Sequence, residues 1–498
     1  MTEQSNRPAA RQFVPHLTEK YFAVRQAYAS GTAQTGFDFS RVGNAYSALK
    51  TANRKTSVFN KILGRNHFAC MPVQVQIDNI GFCNLRCVMC PTHGADADHA
   101  KFQSKTYTMS RDMVDRIAAE SFPYALQCST SGIGEGLLHR DIDTIIRQAG
   151  RYGTTLFINS NCTTLGARSV PKLFGITNLQ LSIDGALPGT FEAIRKGARY
   201  EKVLHACRVL KIANDLLPPA LRMPIGINYA LSASTVRETP IMIDLAEFVG
   251  ASSLQFNKME FLVNQTYPKE QYLEEDYERY PAYYAYYRER AEARARACGI
   301  RLSWPEPFPE VAPDRLAGPA DGGLFARGGT EETTPDFAGM TDANAIMEEA
   351  VDLAEKALLA AIERHSEYDD TAYRRAEDEA QTLAAEISEG FEQRFAALTP
   401  EDRDLIRTAP NAETLVHDCV FLHTSLYFMA NGETRPCCIY SLPELAGDAR
   451  TQSVKEIYQG EKLARFSADF RKGVLCEECQ SCRVKGIRPL RELVRSLL

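Results

Sequence analysis

Between residues 73 and 257 the chain alternates short apolar runs with stretches of helical periodicity. The runs near 73–79, 125–130, 155–160, 178–183, 224–231 and 252–257 read as strands, bounded by turn residues. Helices are expected between them, among others from Ser110 to Ala119, Asp141 to Tyr152, Tyr200 to Asn214 and Val236 to Val249. Strands separated by whole helices cannot pair as hairpins and need crossover connections, which make them parallel. The expected fold class is therefore α/β, with six such units forming a partial (β/α)6 TIM-like barrel. Ser110, with Met113 three residues on, is expected to cap its helix. Ligands of parallel α/β folds collect at the carboxyl ends of the strands.

Directly after the first of these strands stands GFCNLRCVMCPT, with Cys83, Cys87 and Cys90 in the spacing C-x3-C-x2-C. Three thiolates on one short loop can hold three irons of a cubane and leave the fourth without a protein ligand. Structural zinc usually takes four N/S ligands, often as two separated pairs, and fits this loop poorly. His93 is the residue that would complete a Cys3His set. A disulfide framework is disfavoured by the length of 498 residues and by the expected lack of a secretory leader. Fourteen cysteines in such a chain point to metal use in a reducing, cytoplasmic compartment. With 44% hydrophobic residues a sizeable core is available. No apolar run reaches the roughly 18 residues a membrane span requires. The net charge of −6 carries no nucleic-acid signature.

Four regions are expected: a basic helical N-terminal segment (1–70), the core (71–312), a linker with a helical insertion (313–414) and a small C-terminal metal domain (415–498). The basic residues up to 67 and the acidic stretch 342–405 read as solvated helical faces, with docking of a partner as the alternative. Tyr280, Tyr283, Tyr284 and Tyr287 recur at helical spacing and are expected to pack in a core, substrate contact being the alternative. A Gly- and Pro-rich linker runs from about 317 to 336. In the insertion, Leu383, Ile387, Phe391 and Phe395 form a stripe, and Thr399-Pro400 reads as a helix cap followed by an N1 proline. The insertion is expected to be an accessory cover or a partner surface.

A second group of cysteines follows. Cys419 precedes Cys437 by C-x17-C, with Asn431-Gly432 as a hairpin turn between them. Cys438 is next in sequence, and CEECQSC supplies Cys476, Cys479 and Cys482. Two separated pairs of this kind are a metal signature, with zinc as the alternative to iron. Cys70, Cys128, Cys162, Cys207 and Cys298 read as ordinary buried small residues.

CNLRCVMCP resembles the cluster loop of the radical S-adenosylmethionine (SAM) family, and further motifs follow in the family's order. Gly132-Ile133-Gly134-Glu135-Gly136 looks like the Gly-Gly-Glu motif, with Gly136 where family members usually have proline. Asn159-Ser160-Asn161 stands where Thr-Asn-Gly is common, and Ser182-Ile183-Asp184-Gly185 resembles SxDG. The resemblance implies a [4Fe–4S] cluster at Cys83, Cys87 and Cys90 that binds SAM. It gives the cofactor's amine to Glu135 and its carboxylate to Ser182 and Arg195, with Gly134, Asn161 and Asp184 among the cofactor-binding residues. A forked guanidinium suits a planar carboxylate. The C-terminal pattern resembles the SPASM and twitch extensions of the same family. That resemblance implies one auxiliary [4Fe–4S] cluster, assigned to Cys419, Cys437, Cys476 and Cys479, with Cys438 or Cys482 as replacements.

The implied activity is reductive cleavage of SAM to a 5′-deoxyadenosyl radical that abstracts hydrogen from a substrate. The expected substrate is a small polar molecule, sugar- or aminocyclitol-like, undergoing oxidation, epimerisation or elimination. That makes the chain an oxidoreductase- or lyase-type enzyme. The alternative is a peptide maturase acting on a ribosomally made precursor, and a non-catalytic iron–sulfur or zinc protein is the remaining reading. A low-potential electron donor such as flavodoxin or ferredoxin is the expected partner, with no nucleic acid and no membrane span.

Overall fold

The computed structural model describes residues 45–94, 107–130, 132–165, 170–258, 281–305, 333–366, 370–419, 421–438, 446–482 and 485–495. Most of the basic segment before residue 45, Tyr280 and the greater part of the 317–336 linker lie outside these residues. The chain divides into two compact units. One comprises Met1–Ala29, Cys83–Ser104 and Ile158–Ala361; the other comprises Ser30–Phe82, Lys105–Phe157 and Ile362–Leu498.

In the second unit, β1 (Gln74–Ile77) pairs in parallel with β2 (Gln127–Ser129), and β2 with the start of β3 (Thr155–Ser160). Helices α2 (Arg111–Ser121) and α3 (Ile142–Tyr152) supply the crossovers. The Ser110 side chain accepts from the Met113 N–H, so the expected cap is present. Strand β1 is not an edge. The C-terminal segment sends β9 (Ser425–Phe428) alongside it in parallel, with Gln74 opposite both Gln127 and Ser425. β10 (Glu433–Arg435) and β11 (Gly447–Asp448) then extend the sheet antiparallel. The order here is β11-β10-β9-β1-β2-β3. All four residues of β9 are buried, as expected for a strand covered on both faces. The turn between β9 and β10 contains Gly432 at φ +89°, a conformation that favours glycine. The N–H of Gly432 donates to Met429 O.

The first unit continues in chain order from the end of β3 through β4 (Thr177–Ser182), β5 (Ile225–Leu231) and β6 (Ser253–Lys258). Leu179 stands opposite Ile225, and Ile227 opposite Leu254, all in parallel. The helices here are α4 (Val170–Leu173), α5 (Pro188–Ile194), α6 (Tyr200–Leu216) and α7 (Thr239–Val249). The fold class is the expected one: α/β, with consecutive strands in the order of a partial (β/α)6 barrel. A seventh parallel strand, β7 (Arg301–Ser303), joins β6 after helix α8 (Pro281–Cys298). Its single apolar residue, Leu302, gives no periodicity to read. The tyrosine helix is thus a crossover, and Tyr283 and Tyr284 are buried in its packing.

Three helices make up the insertion: α9 (Ala343–Ser366), α10 (Asp370–Ala396) and α11 (Pro400–Thr408), the last capped by Thr399 as expected. The stripe on α10 packs on α1 (Ser47–Leu63), the described part of the basic segment. Phe391 meets Phe59 with ring centroids 4.9 Å apart and stacks on Phe68 at 4.7 Å. The reading of the basic segment as a solvated face fails for two residues. Lys50 and Lys61 are buried, because each finds oxygen partners. Lys50 Nζ donates to Gly153 O and to Thr154 Oγ1 at the carboxyl end of α3, while burial lowers its ammonium to about 7. The remaining elements are β8 (Leu415–Cys419), α12 (Val454–Tyr458), α13 (Glu461–Arg471), α14 (Glu477–Ser481), β12 (Lys485–Pro489) and α15 (Leu490–Arg495). β8 and β12 form a separate antiparallel pair. Among the described residues no helix is long and apolar enough to cross a membrane.

Phe391→Ala removes the ring that bridges α10 and α1. It is expected to cost about 2 kcal/mol, since the site is only half-buried, and to lower the melting temperature. An unchanged melting curve would contradict this packing.

Candidate metal centres

The loop carrying Cys83, Cys87 and Cys90 is held by the backbone that carries Arg195. The Arg86 N–H donates to Lys196 O and the Val88 N–H to Ile194 O, both at 2.9 Å. These two bonds bracket Cys87 on one side and Arg195 on the other. Within the loop, the Leu85 N–H points at Cys83 Sγ (3.5 Å) and the His93 N–H at Cys90 Sγ (3.2 Å). Asn161 Nδ2 donates to Asn84 Oδ1 at 2.9 Å and lies 3.8 Å from Cys83 Sγ, while Asn84 Nδ2 donates to Thr163 Oγ1. A side-chain network at the end of β3 therefore fixes the first turn of the loop. Burial pushes the Cys87 thiol up to about 12, Arg195 works against that shift, and Asp184, Cys90 and Cys83 add to it. Ligation would have to displace that proton, as metal binding to thiols generally does.

The motif after β4 is tied to the same place. Asp184, 1% exposed, accepts from Arg195 Nε at 2.6 Å through Oδ2 and from the Ala230 N–H at 2.6 Å through Oδ1. Arg195 Nη2 is 2.5 Å from the same Oδ2. Burial opposes the Arg195 charge, but the Asp184 carboxylate outweighs it and holds the guanidinium protonated. The structure turns Arg195 toward Asp184 and places Ser182, half-buried, opposite Asn228 in the β4–β5 register. Sequence reasoning missed Glu238. This buried carboxylate accepts from the Ala186 N–H (2.7 Å), the Leu187 N–H (3.3 Å) and Thr190 Oγ1 (2.5 Å), anchoring the turn after Gly185. A single Glu ahead of Thr-Pro gives no signal of that role.

In the other unit, Gly132 to Gly136 lies against the backbone that leads into the cysteine loop. The Glu135 N–H donates to Phe82 O at 3.0 Å. A Cβ on Gly134 would stand 2.3 Å from Ile80 O and 2.6 Å from Phe82 O, closer than any side chain permits. A Cβ on Gly136 would be 2.9 Å from Thr130 O, which accounts for glycine where the family pattern has proline. Glu135 is 4% exposed. Asp78 organises this turn from beneath: its Oδ1 accepts from the Ile133 N–H at 3.0 Å. Burial raises the Asp78 carboxyl to about 7, against the hydrogen bonds from Ile133, Gly134 and Tyr427.

The C-terminal cysteines also gather. Cys419, Cys437, Cys476 and Cys479 share one apolar cluster with Leu422, Phe466, Phe470 and Leu475. Cys476 stands at the N-cap position of α14 and Cys479 lies three residues on, so the C-x2-C bite spans one helical turn. Burial raises the Cys479 thiol, and neighbouring Cys476, Cys437 and Cys419 raise it further. Cys438, exposed to solvent, and Cys482 lie within electrostatic reach of Cys419. Among the described residues, no three His, Cys, Asp or Glu side chains are already closed up around a point where an ion would sit. Of the cysteines read as ordinary core residues, Cys70, Cys128, Cys162 and Cys207 are buried and Cys298 is partly exposed.

Comparison with known proteins agrees with these loops. A model of the radical SAM superfamily matches residues 80–215, and a model of the SPASM iron–sulfur cluster-binding domain matches 419–483. PqqA peptide cyclase of Methylobacterium nodulans is 28% identical over 177 residues, 35% of this chain. The match spans 43% of that relative's length. SuiB of Streptococcus suis bound to S-adenosylmethionine superposes with a TM-score of 0.48 at 12% identity, covering 83% of this chain and 71% of SuiB. The structure of anSMEcpe with bound AdoMet and Cp18Cys peptide gives 0.41 at 14% identity, covering 83% and 86%. The chain carries a radical SAM domain and a SPASM domain. Its cofactors are accordingly a [4Fe–4S] cluster, SAM and auxiliary iron–sulfur.

Asp78 sets a pH dependence. Its folded value lies above the unfolded one of 3.8, so the folded state holds the extra proton between about pH 4 and 7. The stability this provides at acid pH is lost as pH rises through 7. Asp78→Asn keeps an acceptor for Ile133 without the charge. Thermal melts should show the variant more stable than the parent at pH 8, with the difference vanishing near pH 4. A variant less stable at pH 8 would contradict the assignment.

Proposed function

We propose that this radical SAM enzyme acts on a peptide and closes a ring or crosslink within it. The observation that carries the reading is the likeness to PqqA peptide cyclase. It favours the peptide alternative over the expected small polar substrate.

The chain's residues suit the cofactor the domain requires. Cys83, Cys87 and Cys90 offer three thiols on one loop, and backbone N–H groups already point at two of the sulfurs. Hydrogen bonds to sulfur are among the factors that set cluster potential. When bound, the cluster and SAM together supply a 5′-deoxyadenosyl radical able to take hydrogen from an unactivated carbon. The loop's pinning to residues 194–196 and the Asn84–Asn161–Thr163 network hold the thiols in place. The burial of Leu85 and Cys87 keeps water from that side. Assignment of Gly134, Glu135, Asn161, Ser182, Asp184 and Arg195 to SAM rests on motif resemblance. For Arg195 the bond to Asp184 supports a second role, charge balance behind Cys87. We assign the auxiliary cluster to Cys419, Cys437, Cys476 and Cys479 on the strength of their shared apolar cluster. The proposed electron donor is a low-potential flavodoxin or ferredoxin.

Anaerobic reconstitution should load about eight irons per chain, four for each cubane. The reduced holoenzyme with SAM should release 5′-deoxyadenosine, and Cys87→Ala should abolish that release. Deoxyadenosine from the variant would contradict the loop assignment. For the substrate, a precursor peptide encoded beside this chain's gene should lose hydrogen, read by mass spectrometry, only with SAM and reductant present. Turnover of a nucleotide sugar, with the peptide unchanged, would return the assignment to a small molecule.

A further inference from the structure

Helix α1 lies outside the residues matched by either family model, yet it buries a polar face against the strand that carries Cys419. Lys61, 3% exposed, places Nζ 3.3 Å from Asp418 Oδ1 and 3.3 Å from the carbonyl oxygen of Cys419. Asp418 is likewise 3% exposed. The arrangement is clamped from both sides. Arg471 of α13 donates to Lys61 O and Ile62 O through Nη2, and to His417 O through Nη1. One turn earlier, Ser57 Oγ donates to His423 O at 2.6 Å, an oxygen that also accepts from the Tyr458 hydroxyl at 2.7 Å.

An ion pair this deep is a poor stabiliser, because desolvation offsets much of its Coulomb attraction. Here it sits within one residue of a proposed cluster ligand, where burial leaves fixed charges weakly screened. One-electron reduction of a cubane adds a negative charge. A nearby ammonium favours the reduced form, and a nearby carboxylate disfavours it. Both charges stand on the same ligand, so removing either one unbalances the site in a known direction.

We propose that Lys61 and Asp418 are opposed positioning charges that set the reduction potential of the auxiliary cluster bound through Cys419. The α1 helix thereby forms part of that cluster's housing. The proposal rests on the auxiliary cluster assigned above, and its test separates the two. In the full-length chain with Cys83, Cys87 and Cys90 all replaced by Ala, about four irons should remain. If none remain, the cluster assignment itself fails. With that background loaded, EPR-monitored potentiometric titration reads the couple directly.

Lys61→Met should move the midpoint to more negative potential, and Asp418→Asn to more positive. The double variant should return toward the parent, and Lys61→Arg should stay near it. A structural role alone would not move the two single variants in opposite directions. Shifts of the same sign, or none, overturn the proposal. If Lys61→Met fails to hold iron, Asp418→Asn decides alone: a positive shift sustains the proposal and any other result overturns it. Loss of iron from both single variants also overturns it, in favour of a purely architectural pair.

Discussion

Two backbone hydrogen bonds, Arg86 to Lys196 and Val88 to Ile194, tie the cysteine loop to the end of α5 and the turn after it. A loop of three cysteines has no regular structure of its own to hold its thiols apart. Here its middle is laddered to a segment whose central residue, Arg195, is locked to Asp184, and Asp184 in turn holds the Ala230 N–H of β5. The order of the site passes through this chain of partners. It starts from a parallel sheet whose register is set by packing and ends at the sulfurs.

The β-sheet and its helices were readable because burial on parallel strands and on crossover helices leaves local periodicity. The six expected strands lie within three residues of the observed ones at every end. What was not readable depends on partners far away in sequence. β7 has one apolar residue and becomes a strand because β6 offers it an edge. The Asn431-Gly432 turn signals a hairpin, but nothing local says that β9, which leads into it, pairs with β1, about 350 residues earlier. Lys50 and Lys61 occupy helical positions where lysine normally points to water. Their burial is decided by oxygens at Gly153, Thr154 and Asp418.

The candidate sites divide the same way. Cysteine spacing and glycine-rich turns are short-range signals, and Gly134 shows why: a side chain there would collide with backbone carbonyls. The supporting residues Asp78, Glu238 and Lys61 are single ionisable groups whose meaning appears only once burial and partners are known. The sequence of the acidic insertion suggests a cover or partner surface. In the structure the aromatic stripe of α10 is taken up by α1, which leaves its charged side as the face to solvent.

The central claim is that Cys83, Cys87 and Cys90 hold the cluster that meets SAM, distinct from the C-terminal one. EPR of the reduced holoenzyme, recorded with and without SAM, tests it most directly. Two overlapping signals are expected, one of which changes on SAM addition and is missing when the three loop cysteines are Ala. A SAM-responsive signal that survives in that variant would contradict it.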